Sequence, residues 1–198
     1  MSKPLSVNQD LSTSAQGRTQ LIQHEGVIRH YYNDSVHNCT FGVGTLAHLG
    51  VCSATERHTP VPDDLMATSL QQGITTAENI VKRTVTRTNL TQQQFDALVS
   101  FTYNLGPGGA HRVLRLVNSG HFAEAAQTMM QYTHATVRGA NGRPKRDKTG
   151  HKITQVLRGL VTRRAAESAP FARPAASPSP QPTEAPQGLD LHGPMLLP

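Results

Sequence analysis

The sequence predicts an α+β fold, mostly helical, with a small antiparallel sheet near the amino terminus. Three observations carry this expectation. Short apolar runs between residues 31 and 52 are broken by Asn, Asp and Gly, as in a ribbon of short strands. From Pro62 onward, apolar residues recur at helical spacing behind two capping boxes. Gly106 and Pro107 then punctuate the most regular of those stretches.

In chain order, residues 1–13 are polar and are expected to form a loose tail. A first helix is expected over residues 14–25, with Gly26 placed to end it. A sheet lobe of about residues 26–60 follows, with strands at Tyr31-Tyr32, Thr40 to Val43 and Thr45 to Leu49. Gly42 and Gly44 leave room there for a ligand or a bulge. Residues 52–62 read as turns, and Asp63-Asp64 as the start of a short helix. Thr75 stands three residues before Glu78, a capping box that opens a helix through Ala77, Ile80, Val81 and Val85. Thr91 and Gln94 form a second box, and Phe95, Leu98, Val99, Thr102 and Leu105 trace one face behind it. Further helices are expected at His111 to Asn118, His121 to Tyr132 and Ile153 to Glu167. Residues 172–198 are rich in Pro, Ala and Ser and should be extended and disordered. Their apolar end, Leu189 to Pro198, reads as a disordered terminus or as a docking peptide.

At 198 residues the chain is one domain by length, spanning 14–171 between its tails. A hydrophobic share of 36% leaves part of it outside any core. No apolar run is long enough to span a membrane, and the amino terminus lacks a secretory signal, so synthesis in the cytoplasm without membrane insertion is expected. The net charge of +6 favours an anionic partner. Nucleic acid is set aside, because no zinc-finger spacing, RNP-like motif or helix-turn-helix signal occurs. Cys39 and Cys52 flank the expected ribbon. They read as two buried thiols or as a disulfide formed in an oxidising compartment, not as a metal pair, since twelve intervening residues do not match a zinc-ligand spacing.

The chemistry concentrates between Glu25 and Gly44. On a helix, Glu25 shares or borders the face of Leu21 and Ile22, and apolar packing of a carboxylate favours the proton a general acid must hold. Asp34 lies in a solvated turn, Tyr-Asn-Asp-Ser, and is expected to stay ionised. Two carboxylates in unlike settings are the material for acid-assisted cleavage of a glycosidic bond. Glu25 would protonate the leaving oxygen, Asp34 would position water or stabilise positive charge, and Thr40 would hold the water. A zinc-protease reading of His24-Glu25 with His30 fails, because the histidines are six residues apart and do not share a helix face.

Glu25, nine residues to Asp34, six more to Thr40, then Phe-Gly-Val-Gly, resembles the phage-type lysozymes, glycoside hydrolase family 24. The stretch from Thr91 to Gly106 resembles that family's central helix, and Gly159 to Glu167 its closing helix. The resemblance runs over about residues 15–171. It implies two lobes facing across a glycan-binding cleft, a muramidase activity on the β-1,4 bond of peptidoglycan, and no metal or cofactor. By position it makes Glu25, Asp34 and Thr40 catalytic, and matches Asn104 to a cleft-lining position and Arg163 or Arg164 to one near the cleft's rear, while Tyr32 and Gly42 in the ribbon are further candidates for contact with substrate. Asn104 reads equally as a helix-terminal cap, and the two arginines as a solvated helix face. A non-catalytic peptidoglycan-binding module is the rival reading. The chain departs from the family at Gly109 to Leu114, where a Gly-x-Ser-Thr-Leu run is usual. It also carries 9 of its 19 basic residues within 138–164, a loop suited to anionic wall or simply solvated. The expected setting is a monomer acting in the periplasm or cell wall. It would be released with a holin as an endolysin, or secreted as an antibacterial effector with an immunity protein in its producer.

Overall fold

The computed structural model describes residues 7–25, 28–34, 37–42, 45–137, 139 and 143–172. The expected stop at Gly26, the positions Val43, Gly44 and Arg138, and the tail from residue 173 onward, with its apolar end, lie outside these. Helix α1 (Ala15–Glu25) leads into a three-stranded antiparallel sheet of β1 (Ile28–Asn33), β2 (Cys39–Gly42) and β3 (Thr45–His48), in that order. The expected ribbon is therefore present. Helices α2 (Ala54–His58), α3 (Asp63–Thr84), α4 (Gln92–Asn118) and α5 (Phe122–Met129) follow, then β4 (His134–Thr136), β5 (Thr154–Val156) and α6 (Arg158–Ala172). The core lies in the helical lobe, where Leu21, Ile74, Val81, Phe95, Leu98, Phe101, Val113, Leu114, Val117, Met129 and Phe171 are buried together.

Several boundaries differ from the sequence reading, each for a local reason. The amino-terminal segment is not loose throughout. Asn8 is 2% exposed, and its amide donates to the Val85 and Thr88 carbonyls while accepting from the Leu90 N–H. The turn-rich stretch after Cys52 contains α2, opened by a capping box of Ser53 with Glu56. Helix α3 is one element, not two. Thr75 is interior to it and accepts from Gln71, while Glu78 turns away to accept from the Thr13 backbone and hydroxyl at 2.7 and 2.6 Å. The Thr91–Gln94 box does open α4. At Gly106 the backbone takes φ 68°, ψ 178°, a left-handed turn that favours glycine, and the helix resumes at once behind Pro107. The expected stop is thus an elbow within α4.

The last helix starts at Arg158, because residues 154–156 pair with 134–136 as a ribbon. It extends beyond Glu167 to Ala172, docked by Phe171 against Phe122 and by the Pro170 carbonyl on Gln94. The described part of the basic segment is a hairpin, not a structureless loop. Val137 and Lys145 exchange backbone bonds with Ile153 and each other, and Asp147, the one acidic residue of the segment, accepts from Thr149 and His151 in its turn.

Helix α1 buries only Gly17 and Leu21, so packing of an apolar stripe does not hold it. Polar anchors do. Ser14 donates to both Asp96 oxygens and caps the Gly17 N–H, and Gln92 holds the same Asp96 from the other side. Gly17 lets α1 approach closely: a Cβ there would lie 2.5 Å from Asp96 Cγ, a side chain that cannot swing away without breaking those bonds. Gly17→Ala is therefore expected to cost about 1–3 kcal/mol, the usual penalty of overpacking, measured as a shifted urea midpoint. Because α1 ends at Glu25, the same variant should lose activity as well.

Candidate active site

Glu25 ends α1 with its side chain 13% exposed. Its ionic partner is an arginine that the sequence reading did not foresee. Its Oε1 lies 2.7 Å from Arg163 Nη1 on α6, a close contact of charges without an aligned hydrogen bond. Arg163 spends its aligned donors elsewhere: Nε on Glu167 Oε1 at 2.9 Å and Nη2 on the Ser100 carbonyl at 3.0 Å. Ser100 Oγ donates to the same Glu167 oxygen at 2.6 Å. Arg164 completes the set, giving Nη1 to Glu167 Oε2, Nη2 to Asn104 Oδ1 and Nε to the Tyr132 carbonyl, with its guanidinium 4.7 Å from the centre of the Phe101 ring. Two cations and two carboxylates, Glu25 among them, thus form one charge-balanced network.

This settles the location of three expected residues. Arg163 and Arg164 are 3% and 0% exposed, so neither lies on a solvated helix face and neither presents a surface to a glycan. Burial lowers the Arg164 pKa, and Glu167 opposes that shift. Asn104 is half-buried, and its carbonyl oxygen accepts from Arg164.

Asp34 and Thr40 sit on the β1–β2 hairpin. Asp34 is half-buried and organises the turn: its N–H donates to the Asn38 carbonyl and its Oδ1 accepts from the Asn38 N–H, both at 2.9 Å. Thr40 is 2% exposed, stands opposite Tyr32 across the ladder, and donates its hydroxyl to the Tyr32 carbonyl at 3.0 Å. Gly42 takes φ 59° and lines a cavity of about 260 Å³ with Ile22, Arg29, Phe41, Met66 and Leu70, where α1, the sheet and α3 meet. Cys39 and Cys52 are joined in a disulfide at the base of this lobe, so the thiol alternative does not hold in this structure.

Sequence reasoning missed Tyr103. It packs on Gly73 of α3, where an added Cβ would sit 2.5 Å from its ring. With Thr45, Thr76, Thr102 and Gly106 it lines a second cavity of about 280 Å³, and the Thr102 hydroxyl in that wall is buried without a hydrogen-bond partner. The Tyr103 phenol is pushed up to about 12, by burial first and by the negative charge of Glu25 second. Glu25→Gln should let Tyr103 ionise at lower pH while leaving it above the ordinary range, because the larger cause remains; ultraviolet titration of the tyrosines measures this. His24 is held below its ordinary value, by burial and then by Arg163.

The phage lysozyme family matches residues 22–167. Over 87 residues the chain is 39% identical to an endolysin of Bacillus phage PZA, covering 43% of this chain and 27% of that protein. Over 62 residues it is 39% identical to an endolysin of Bacillus phage B103, covering 30% and 24%. The chain therefore spans about a quarter of the length of these relatives. Among solved structures, the muramidase domain of SpmX from Asticaccaulis excentricus is similar at TM-score 0.62 and 30% identity, over 83% of this chain and 99% of that one. An endolysin from Escherichia coli O157:H7 phage FAHEc1 shares the fold at TM-score 0.62 and 23% identity, over 82% and 94%. With the family matched across well over half of its length, on a helical scaffold with a small sheet lobe, the chain belongs to the phage lysozyme family.

Proposed function

We propose that this protein is a peptidoglycan hydrolase, cleaving the β-1,4 bond between N-acetylmuramic acid and N-acetylglucosamine. The observation that carries the reading is Glu25: a nearly enclosed carboxylate at a helix end, held through one oxygen by a buried arginine. Arg163 fixes Oε1, so Oε2 is the oxygen left to give a proton to the glycosidic oxygen. Asp34, on the hairpin, stabilises the cationic sugar or draws the attacking water. Thr40 has its proton engaged by the Tyr32 carbonyl, so its lone pairs are the part available to accept from that water. The groove at Thr45, Tyr103 and Gly106 is the place for a neighbouring sugar, whose hydroxyl would satisfy Thr102. In this assignment Arg163, Arg164 and Asn104 are positioning residues.

The disulfide supports action outside the cytoplasm, since such bonds persist in oxidising compartments. As an endolysin the protein would reach the wall through a holin; as an effector it would be delivered by a secretion machine and be matched by an immunity protein. Digestion of purified peptidoglycan followed by mass analysis tests the activity. Muropeptides ending in reducing N-acetylmuramic acid are expected. Binding to the wall without any release of fragments would favour the module reading.

A further inference from the structure

The sheet lobe holds a second cluster of chemistry-bearing side chains, distinct from the Glu25 network. One donor atom each from Cys39, His48 and Glu56 lies within 4.8 Å of the others. Cys39 and His48 face each other directly across the β2–β3 ladder. His48 Nδ1 is 3.0 Å from the Leu49 carbonyl, which leaves Nε2 to face the cluster, and Nε2 is 2.9 Å from Glu56 Oε1. Glu56 is itself held, because its other oxygen accepts from the Ser53 N–H in the capping box of α2. Cys52 is bonded to Cys39, and its backbone is fixed by the Asn33 side chain. The sulfurs are buried, whereas His48 and Glu56 side chains are 44% and 34% exposed, so an ion has a path to a sulfur-floored site.

We infer that Cys39, Cys52, His48 and Glu56 form a redox-gated zinc site, closed as a disulfide when oxidised and open to Zn²⁺ when reduced. Spacing along the chain argued against a metal pair, but the fold brings in the two ligands that the spacing lacks. The donor set, two thiolates with one imidazole and one carboxylate, suits zinc, and an imidazole whose other nitrogen bonds a backbone carbonyl is the usual orienting arrangement. The donor atoms of Cys39, His48 and Glu56 already lie within 4.8 Å of one another, and the Cys52 thiolate, released on reduction from its bond to Cys39, turns in to supply the fourth ligand. The steps balance. A cellular dithiol gives two electrons and two protons to the Cys39–Cys52 bond and closes to its own disulfide. Zn²⁺ then displaces the two thiol protons to solvent. Either state staples the lobe that bears Asp34 and Thr40, so the lobe is tied in a reducing compartment before the disulfide can form.

Cobalt titration of the full chain tests this, because Co²⁺ bound by thiolate gives an intense near-ultraviolet charge-transfer band. The reduced protein should take up one equivalent with that band, zinc should displace it, and the oxidised protein should show none. His48→Ala and Glu56→Gln, the latter keeping a side chain able to cap α2, should each weaken binding at least about tenfold. A reduced protein without the band, or one whose affinity is unchanged by His48→Ala, overturns the site. Should reduction melt the lobe, near-ultraviolet circular dichroism decides. Zinc restoring the folded signal supports the inference, and failure to restore it overturns it.

Discussion

Glu25→Gln should abolish peptidoglycan cleavage while the protein stays folded. The carboxamide keeps the shape of the side chain and removes the proton that a leaving sugar oxygen needs. Loss of a positioned general acid typically costs about 10²- to 10⁴-fold, so activity should fall by at least that much. Stability should fall by less than loss of Glu167 would cause, because Glu167 keeps its bonds to both guanidiniums. Arg163 retains its aligned bonds to Glu167 and Ser100, and what it loses is a contact of charges without hydrogen-bond geometry. Release of muropeptides, read beside circular dichroism and wall-binding, separates the two effects. A folded variant that binds the wall and cuts nothing is the expected result. Full activity in Glu25→Gln would make Glu25 a member of the charge network only and place the acid elsewhere.

The residues proposed to act at the reacting bond are close in sequence. Glu25, Asp34 and Thr40 lie within one helix end and one hairpin, so their order alone places them on adjoining elements. The support behind them was not legible. Arg163 and Arg164 look like surface charge, since nothing local shows that Ser100, Asn104 and Tyr132 close over them. A faint signal existed: Glu167 stands three and four residues after the two arginines, the spacing at which a helix brings opposite charges together. Tyr103 falls outside the apolar face traced by Phe95, Leu98, Val99, Thr102 and Leu105, and its partner Gly73 comes from another helix.

Fold elements divide the same way. The Thr91–Gln94 box was decisive, because a buried run follows it directly. The Thr75–Glu78 match misled, because Glu78 is recruited by Thr13 and the helix already has its bonds. Ser53 and Glu56 carried an equal signal, but in a stretch too short to show a helical period. Strands of three residues, as in β4 and β5, have no alternation to read.

Glu167→Gln should destabilise the protein by about 3–5 kcal/mol, the cost of leaving buried charge uncompensated. Its carboxylate, on a side chain only 2% exposed, takes Arg163 and Ser100 on one oxygen and Arg164 on the other. Without it, two buried guanidiniums share Glu25 as their remaining anion. That loss is a large part of the total stability of an ordinary domain, about 5–15 kcal/mol. Arg163 would also be freed to turn fully onto Glu25, so activity of the folded fraction should drop as well. The double variant Arg164→Met with Glu167→Gln removes one charge of each sign, and Met can keep a contact with Phe101. It should therefore be less damaged than the sum of the two single variants, with a coupling of about 1–3 kcal/mol. Urea unfolding of the four proteins measures the cycle. Additive losses, or a single-variant cost below about 1 kcal/mol, would mean that the cluster contributes packing but not charge balance, and that Glu25 is oriented by α1 alone.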